Sequence, residues 1–348
     1  MICSPDNLIP GIKKHKIYVF LAGPIQGGPD WRSDIEAIDG VIYINPQRRN
    51  MDGFDWAKQV EWETKGLAIS DYILFWIPQE IEHIEGRDYA QTTKIELMEN
   101  LCLNKNIILG IDKDIHTRRY LEYKFKKYTN GNVCHTTLNE CLNELKKKIS
   151  EHKPTYYFTS DTHFGSDRAL KLSKRPFKSV EDMDWTMVRN WNNVVCPNDT
   201  VWHLGDFGDY KYVKYLNGNI MFSPGNYEQK EIEDKKSLED WVDDILDKGF
   251  TGISARDHVV TLDIFSPEYT VFAYHEPEFL KDYLKSGNLL GKEKTYGLFG
   301  HIHGRDKVKT WGIDVGVDCN NFTPMSVDDV KFYLNALDKG YYDKNVFD

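Results

Sequence analysis

Tyr156-Tyr157-Phe158-Thr159-Ser160-Asp161-Thr162-His163 decides how the second half of this chain is read. A run rich in aromatic and β-branched residues passes into a polar Ser-Asp-Thr-His turn, the pattern of a strand that ends on reactive side chains. The arrangement recurs downstream. Residues 201–204 run into Gly205-Asp206-Phe207-Gly208, and residues 220–223 into Gly225-Asn226-Tyr227-Glu228. Residues 271–274 end at His275, and residues 297–299 run into Gly300-His301-Ile302-His303. Functional groups in packed α/β sheets gather at strand ends, so all five clusters can converge on one rim. Aspartate, histidine and asparagine without cysteine form a ligand set for divalent cations such as Mn, Fe or Zn. Asp206 suits the shared carboxylate that two metals about 3.5–4 Å apart require. His203 alternates within its run and reads as a core or supporting histidine.

Upstream of that stretch, Leu138, Leu142, Leu145 and Ile149 recur at helical spacing, and Lys146-Lys147-Lys148 closes the helix favourably at its carboxyl end. Glu151-His152-Lys153-Pro154 is polar and helix-ending, which sets a boundary between domains at 1–153 and 154–348. In the first half, β-rich runs at 17–22, 41–45, 72–77 and 106–111 alternate with helical stretches at 31–38, 56–69, 92–103 and 117–128. Continuous apolar strands alternating with helices imply a parallel sheet covered on both faces. Its ligand cleft then lies at the rim carrying Gly23-Pro24, Asn45-Pro46 and Pro78. Asp71, Glu96, Trp62, Glu63 and the Leu21-Ala22-Gly23-Pro24 turn are the residues of chemical interest there, though spacing alone supports no more than an α/β domain with a cleft.

The chain has 348 residues, 44 basic against 54 acidic, for a formal charge of −10. Up to Lys153 the balance is 21 to 22, so 23 basic and 32 acidic residues fall in the second half. Residues 228–247 alone hold nine carboxylates and three lysines, read as the solvated side of an amphipathic helix with Leu238, Trp241, Val242, Ile245 and Leu246 inward. A chain this acidic disfavours non-specific nucleic-acid binding, which needs a basic surface. The six cysteines show no C-x-x-C pair, which argues against a zinc ribbon or a disulfide framework. No apolar run approaches the roughly 20 residues that span a bilayer. Residues 1–16 lack the apolar segment of a signal peptide, giving the expectation of a cytoplasmic protein without a membrane partner.

In the first half, Phe20-Leu21-Ala22-Gly23-Pro24-Ile25, Asn45-Pro46-Gln47-Arg48, Gln59-Val60-Glu61-Trp62-Glu63, the stretch from Ser70-Asp71 to Pro78 and Thr93-Lys94-Ile95-Glu96-Leu97 fall in order. Together they resemble the nucleoside 2-deoxyribosyltransferase-like family over residues 16–112. The resemblance implies a flavodoxin- or Rossmann-like parallel sheet. It makes Glu96 the carboxylate that attacks the anomeric carbon and Asp71 the one that helps protonate the departing base. It draws Gly23, Pro24, Asn45 and Trp62 into substrate binding. Such roles suit an N-glycoside, which breaks through an oxocarbenium-like state. The family's second acidic residue has no firm counterpart, Asp88 being the loose match, and hydrolase or transferase chemistry is left open.

The second half is similar to the calcineurin-like metallophosphoesterases over residues 155–337. Asp161-Thr162-His163-Phe164-Gly165, Arg175-Pro176-Phe177, Glu181-Asp182-Met183-Asp184, Asn190-Trp191-Asn192, His203-Leu204-Gly205-Asp206-Phe207 and Val315-Gly316-Val317-Asp318 carry the likeness to a small bacterial and phage branch. It implies an α/β/β/α sandwich and two divalent metal ions, manganese favoured. One would be held by Asp161, His163, Asp206 and His303, the other by Asp206, Asn226, His275 and His301. A bridging water activated by the cations would attack phosphorus. Tyr227 stands where the family usually has a catalytic histidine, and a phenol gives up its proton less readily. The expectation is a two-domain hydrolase acting on nucleosides, nucleotides or other small phosphate esters, with room for a homo-oligomer. Two alternatives stand beside it. The first domain could sense a nucleotide without catalysis, or the phosphoesterase could act on nucleic-acid phosphodiesters.

Overall fold

Uninterrupted apolar runs become the buried parallel strands of the first of two units, Met1–Lys153 and Pro154–Asp348, into which the chain divides. The computed structural model describes residues 2–5, 16–48, 54–234, 237–254 and 259–341. The first unit is built in the order β1 (Ile2–Cys3), β2 (Ile17–Ala22), β3 (Val41–Ile44), α1 (Trp56–Ile69), β4 (Tyr72–Ile77), α2 (Gln91–Cys102), β5 (Ile107–Ile111), α3 (Arg118–Tyr128), β6 (Cys134–His135) and α4 (Leu138–Glu151). The sheet order is β1-β3-β2-β4-β5-β6, and every pairing is parallel. Val19, Leu21, Leu74, Trp76 and Ile108 pack beneath Cys141, Leu142 and Leu145 of α4 on one face. On the other, a Cβ at Gly66 of α1 would meet Phe20 and Ile44 at 3.2 Å, so the helix lies close against β2 and β3. A Thr137/Glu140 capping box starts α4.

One expected helix does not form. Residues 31–38 are turns and irregular chain, because the Arg32 side chain is drawn inward instead of lying on a helix surface. Its guanidinium donates to the carbonyls of Leu21 (3.1 Å), Gly23 (2.8 Å) and Pro24 (3.1 Å), satisfying the backbone of the turn after β2. That turn also requires a glycine, since a Cβ at Gly23 would stand 2.3 Å from the Trp76 carbonyl oxygen.

The second unit continues with β7 (Tyr156–Thr159), α5 (Asp167–Leu172), α6 (Val180–Val194), β8 (Thr200–His203), β9 (Asn219–Phe222), α7 (Asn226–Asp234), α8 (Leu238–Lys248), β10 (Gly252–Ile253), β11 (Val260–Thr261), β12 (Thr270–Ala273), α9 (Pro277–Ser286), β13 (Thr295–Phe299), β14 (Val308–Lys309), β15 (Gly312–Asp314), β16 (Met325–Ser326) and α10 (Val327–Asp338). They form two five-stranded sheets, β10-β9-β8-β7-β16 and β11-β12-β13-β15-β14. Phe158 and Met325 from the first sheet share one buried core with Val271, Leu298 and Ile313 from the second. Helix α9 covers the second sheet's other side, its Leu280 and Leu284 packing with Phe272, Phe299 and Trp311. The acidic segment holds two helices: in α8, capped by Ser237, Trp241 and Ile245 are buried while Leu238 and Leu246 stay exposed. Among the described residues no helix is long and apolar enough to cross a membrane.

Candidate functional site

In the first unit, the carboxyl ends of the strands open on a cavity of about 620 Å³. Gly23, Pro24, Arg48, Glu63, Asp88 and Glu96 are among its lining residues. Glu96 rises from α2 and Glu63 from α1. Burial, with the Glu63 charge beside it, pushes the Glu96 carboxyl up to about 7. Burial raises Glu63 as well, against the Gln59 amide that donates to its Oε1 at 2.7 Å. Arg48 Nε in turn donates to Gln59 Oε1 at 2.6 Å, so the second carboxylate is held by a polar chain. Two carboxylates whose environments hold protons unequally are the arrangement that acid and nucleophile share in glycosidic cleavage.

Asp71 is not part of this group. It precedes β4 instead of following it, and its buried carboxylate accepts the Tyr18 N–H at 2.6 Å, at the strand end opposite the cavity. A strand of six residues separates the two ends by about 20 Å. Its role is to fix the start of the sheet, and Glu63 takes the place beside Glu96. Asn45 and Trp62 likewise do not line the cavity: Asn45 Oδ1 accepts the Gln47 N–H at 2.9 Å, and the Trp62 indole nitrogen is buried. Arg32, invisible as a site residue in the sequence, adds a buried cation under Glu96 and Glu63. Its only sequence signal is a charged residue after Trp31 in an otherwise regular stretch.

The second unit brings all seven of the Asp, His and Asn residues together. Ligand atoms of Asp161, His163 and His303 lie within 4.8 Å of one another, and so do those of Asp206, His275 and His301. Asp206 Oδ2 stands between the groups, 3.5 Å from His163 Nε2 and 3.5 Å from His275 Nε2. Five of the seven, Asp161, His163, Asp206, His301 and His303, adopt left-handed backbone with φ from 47° to 72°. Such strain in residues with a Cβ concentrates where surroundings force a side chain into place. Gly205, at φ +98°, lets the two neighbouring turns touch, for a Cβ there would sit 2.4 Å from Gly225 Cα.

Hydrogen bonds fix the donors from behind. His275 Nδ1 is 2.8 Å from the Leu204 carbonyl, so that nitrogen carries a proton. Nε2 then faces Asn226 Oδ1 at 3.1 Å and His301 Nδ1 at 3.2 Å. Asp161 Oδ1 and His163 Nε2 are buried with no hydrogen-bond partner. Buried acceptors without donors are unfavourable unless positive charge sits among them. Burial opposes protonation of His275, yet Asp206 beside it pulls its pKa up to about 9, the same preference for a cation. The residues therefore fit divalent metal ions. Buried Glu228 accepts the backbone N–H groups of Asp206, Phe207 and Gly225 at 2.8–3.0 Å, holding two of the ligand turns. Asp318 accepts His303 Nδ1–H at 2.9 Å and is itself gripped by Arg175. His203 is buried, packs against Phe207 and pairs with Thr162 Oγ1 at 3.0 Å, apart from the ligands. Tyr227 is 40% exposed, its ring edge-on to His163 at 5.2 Å, on the wall of a second cavity of about 500 Å³.

Residues 16–113 match the family model described as nucleoside 2-deoxyribosyltransferase like. The first unit thus carries a domain of that kind, on a parallel sheet. Among curated proteins, an uncharacterized protein of Methanocaldococcus jannaschii is 41% identical over 81 residues, which are 21% of this chain and 46% of that one. The gene 66 protein of Mycobacterium phage L5 is 42% identical over 71 residues, 20% of this chain and 34% of its own length. The chain therefore spans less than half the length of each. A solved structure of a protein of unknown function from Aquifex aeolicus is similar over 52% of this chain and the whole of its own, at 21% identity and a TM-score of 0.40.

Proposed function

We propose that the second unit is a dimetal phosphoesterase of α/β/β/α sandwich form and that the first cleaves or transfers the N-glycosidic bond of a nucleoside or nucleotide. The observation that carries the phosphoesterase reading is the meeting of Asp206, His163, His275, Asn226 and His301 at 3.1–3.5 Å, with Asp161 Oδ1 and His163 Nε2 buried without hydrogen-bond partners, in a setting of strained backbone. Asp161, His163, Asp206 and His303 would hold one cation and Asp206, Asn226, His275 and His301 the other. Bound there, two divalent ions supply Lewis acidity and lower the pKa of water at neutral pH. The protein's own part is orientation. Glu228 fixes Asp206 and the turn before Asn226, Asp318 fixes the His303 ring, and Leu204 fixes His275. Tyr227 supplies a hydroxyl on the cavity wall for the phosphate or its leaving oxygen. In hydrolysis a water oxygen bonds to phosphorus, the ester P–O bond breaks, and the leaving oxygen takes a proton. A phenol is a poor acid for that last transfer.

In the first unit, ionised Glu96 attacks the anomeric carbon as the C–N bond breaks, and the base departs with a proton. Glu63 stays charged beside the nucleophile, and the departing base takes its proton from water. Water or a second base then displaces the sugar from Glu96. Nucleotides are the substrate class common to both units. The test is a mass-spectrometric screen of nucleosides and nucleotides with Mn²⁺ and the full chain. Free base that disappears in Glu96→Ala and phosphate that disappears in Asp206→Asn are expected. Neither product from any member of the panel would overturn the reading.

A further inference from the structure

The cavity above the metal-ligand cluster has an electrostatic character opposite to that of its surroundings. Its floor is His163, His301 and His303, and Arg168, Lys174, Lys230 and Arg305 stand among its walls. No aspartate or glutamate lines it among the described residues. This is in a half-chain with 32 acidic residues against 23 basic. The four cations come from separate places: Arg168 from α5, Lys174 from the left-handed turn after it, Lys230 from α7 and Arg305 from the loop after β13. All four are exposed, and none makes an ion pair among the described residues, whereas neighbouring Lys171 pairs with Asp167 in the same helix. Lys230 stands 5.8 Å from the Tyr227 ring, on the same wall as that residue. Gathering four uncompensated cations around one opening is repulsive, and an anion there removes the repulsion.

Resting on the phosphoesterase reading, we propose that this collar selects a nucleotide-sized substrate carrying a second phosphate besides the one hydrolysed. A phosphate on the cavity floor faces the metal ligands, which leaves the four cations facing whatever charge the rest of the substrate bears. The volume of about 500 Å³ holds a nucleotide and little more. The collar thus gives an acidic protein a local site for a polyanion without a basic surface that would collect nucleic acid at large.

The experiment compares two chromogenic esters with Mn²⁺, the 5′-nitrophenyl esters of thymidine 5′-phosphate and of thymidine 3′,5′-bisphosphate. They differ by one phosphate and release the same phenol. Exposed cations at the collar predict about fivefold or greater preference in kcat/KM for the bisphosphate at low salt. Raising salt to about 0.5 M, where the Debye length falls to about 4 Å, should remove most of it. The double substitution Lys230→Ala and Arg305→Ala should bring the ratio toward one; because it is a ratio within one preparation, losses of metal or of folded protein cancel. Binding in EDTA is read as well: thymidine 3′,5′-bisphosphate should bind more tightly than thymidine 5′-phosphate, by a margin lost in the double variant and kept in Lys171→Ala, a lysine outside the cavity. Equal kcat/KM for the two esters, or a ratio unmoved in the double variant, overturns the proposal. So does faster cleavage of long single-stranded oligothymidylate, which would make the collar a polynucleotide track. If neither ester is turned over, the phosphoesterase reading falls, and the binding margin in EDTA alone decides whether the collar takes a second phosphate.

Discussion

Replacing Asp318 with asparagine removes one charge from the middle of a chain of contacts that ends on His303. Arg175 donates to Asp318 through Nε at 2.9 Å and Nη2 at 2.8 Å, and His303 Nδ1 lies 2.9 Å from the same carboxylate. The Arg175 side chain is 0% exposed and that of Asp318 is 8%, so solvent does not screen the pair. Arg175 also donates to the carbonyls of Asp161 (2.6 Å) and Thr162 (2.9 Å), which ties it to the first ligand turn. Asparagine keeps the shape and one acceptor but turns an amide N–H₂ toward a donor. Losing one charge-assisted bond of this kind costs about 2–3 kcal/mol. Burial alone would raise the Asp318 carboxyl, but the His303 and Arg175 hydrogen bonds hold it down to about 2, from 3.8. That displacement is also about 2–3 kcal/mol. A depressed carboxyl contributes stability that is full above its unfolded value and is lost as pH falls through the folded one. The deficit of Asp318→Asn in urea unfolding of the metal-free chain should therefore be full at pH 7, shrink below about pH 4 and vanish near pH 2. Because the same carboxylate fixes the His303 tautomer, Mn²⁺ affinity by titration calorimetry should fall about 10–100-fold. Mn²⁺ affinity within about threefold of the parent, together with a stability deficit that does not change with pH, would refute the argument.

Three further outcomes follow from the same geometry. Glu96, raised to about 7, keeps its proton in the folded chain after the unfolded chain has lost it near 4.5, so its contribution to stability declines as pH rises from 4.5 to about 7. Glu96→Gln should flatten that decline, while Glu63→Gln, by removing the neighbouring charge, should shift the rise of base release to lower pH; profiles superimposable on the parent would contradict both. Tyr227→His should raise the hydrolysis of alkyl phosphate esters relative to aryl esters, since a histidine protonates a poor leaving group better than a phenol does, and an unchanged alkyl-to-aryl ratio would remove Tyr227 from that role.

Which residues face the second-unit site was legible in the sequence, because each cluster follows a β-run and strand ends in such sheets share a rim. Asp161, His163, Asp206, Asn226, His275, His301 and His303 needed no tertiary information to be nominated. The parallel sheet of the first unit was legible for a related reason, since strands buried on both faces must be apolar throughout. What the sequence left undecided was direction and company. Asp71 and Glu96 flank the same α/β unit, and the place of Asp71 before its strand was readable from the sequence, but only the fold shows its carboxylate taken up by the Tyr18 N–H at the closed end while Glu96 faces the cavity. Glu63 becomes Glu96's partner because α1 and α2 bring two distant carboxylates into one cavity. Arg32 drew no reading from the sequence and Arg175 only a place in a motif, yet both are buried to hold backbone turns, a role set by carbonyls that no local pattern announces. The collar of Arg168, Lys174, Lys230 and Arg305 is likewise absent from the charge arithmetic, which totals the second half as acidic. Local sequence determines which residues can strand, turn or ligate. Which charges meet is a property of distance, and distance between remote residues exists only once the chain has folded.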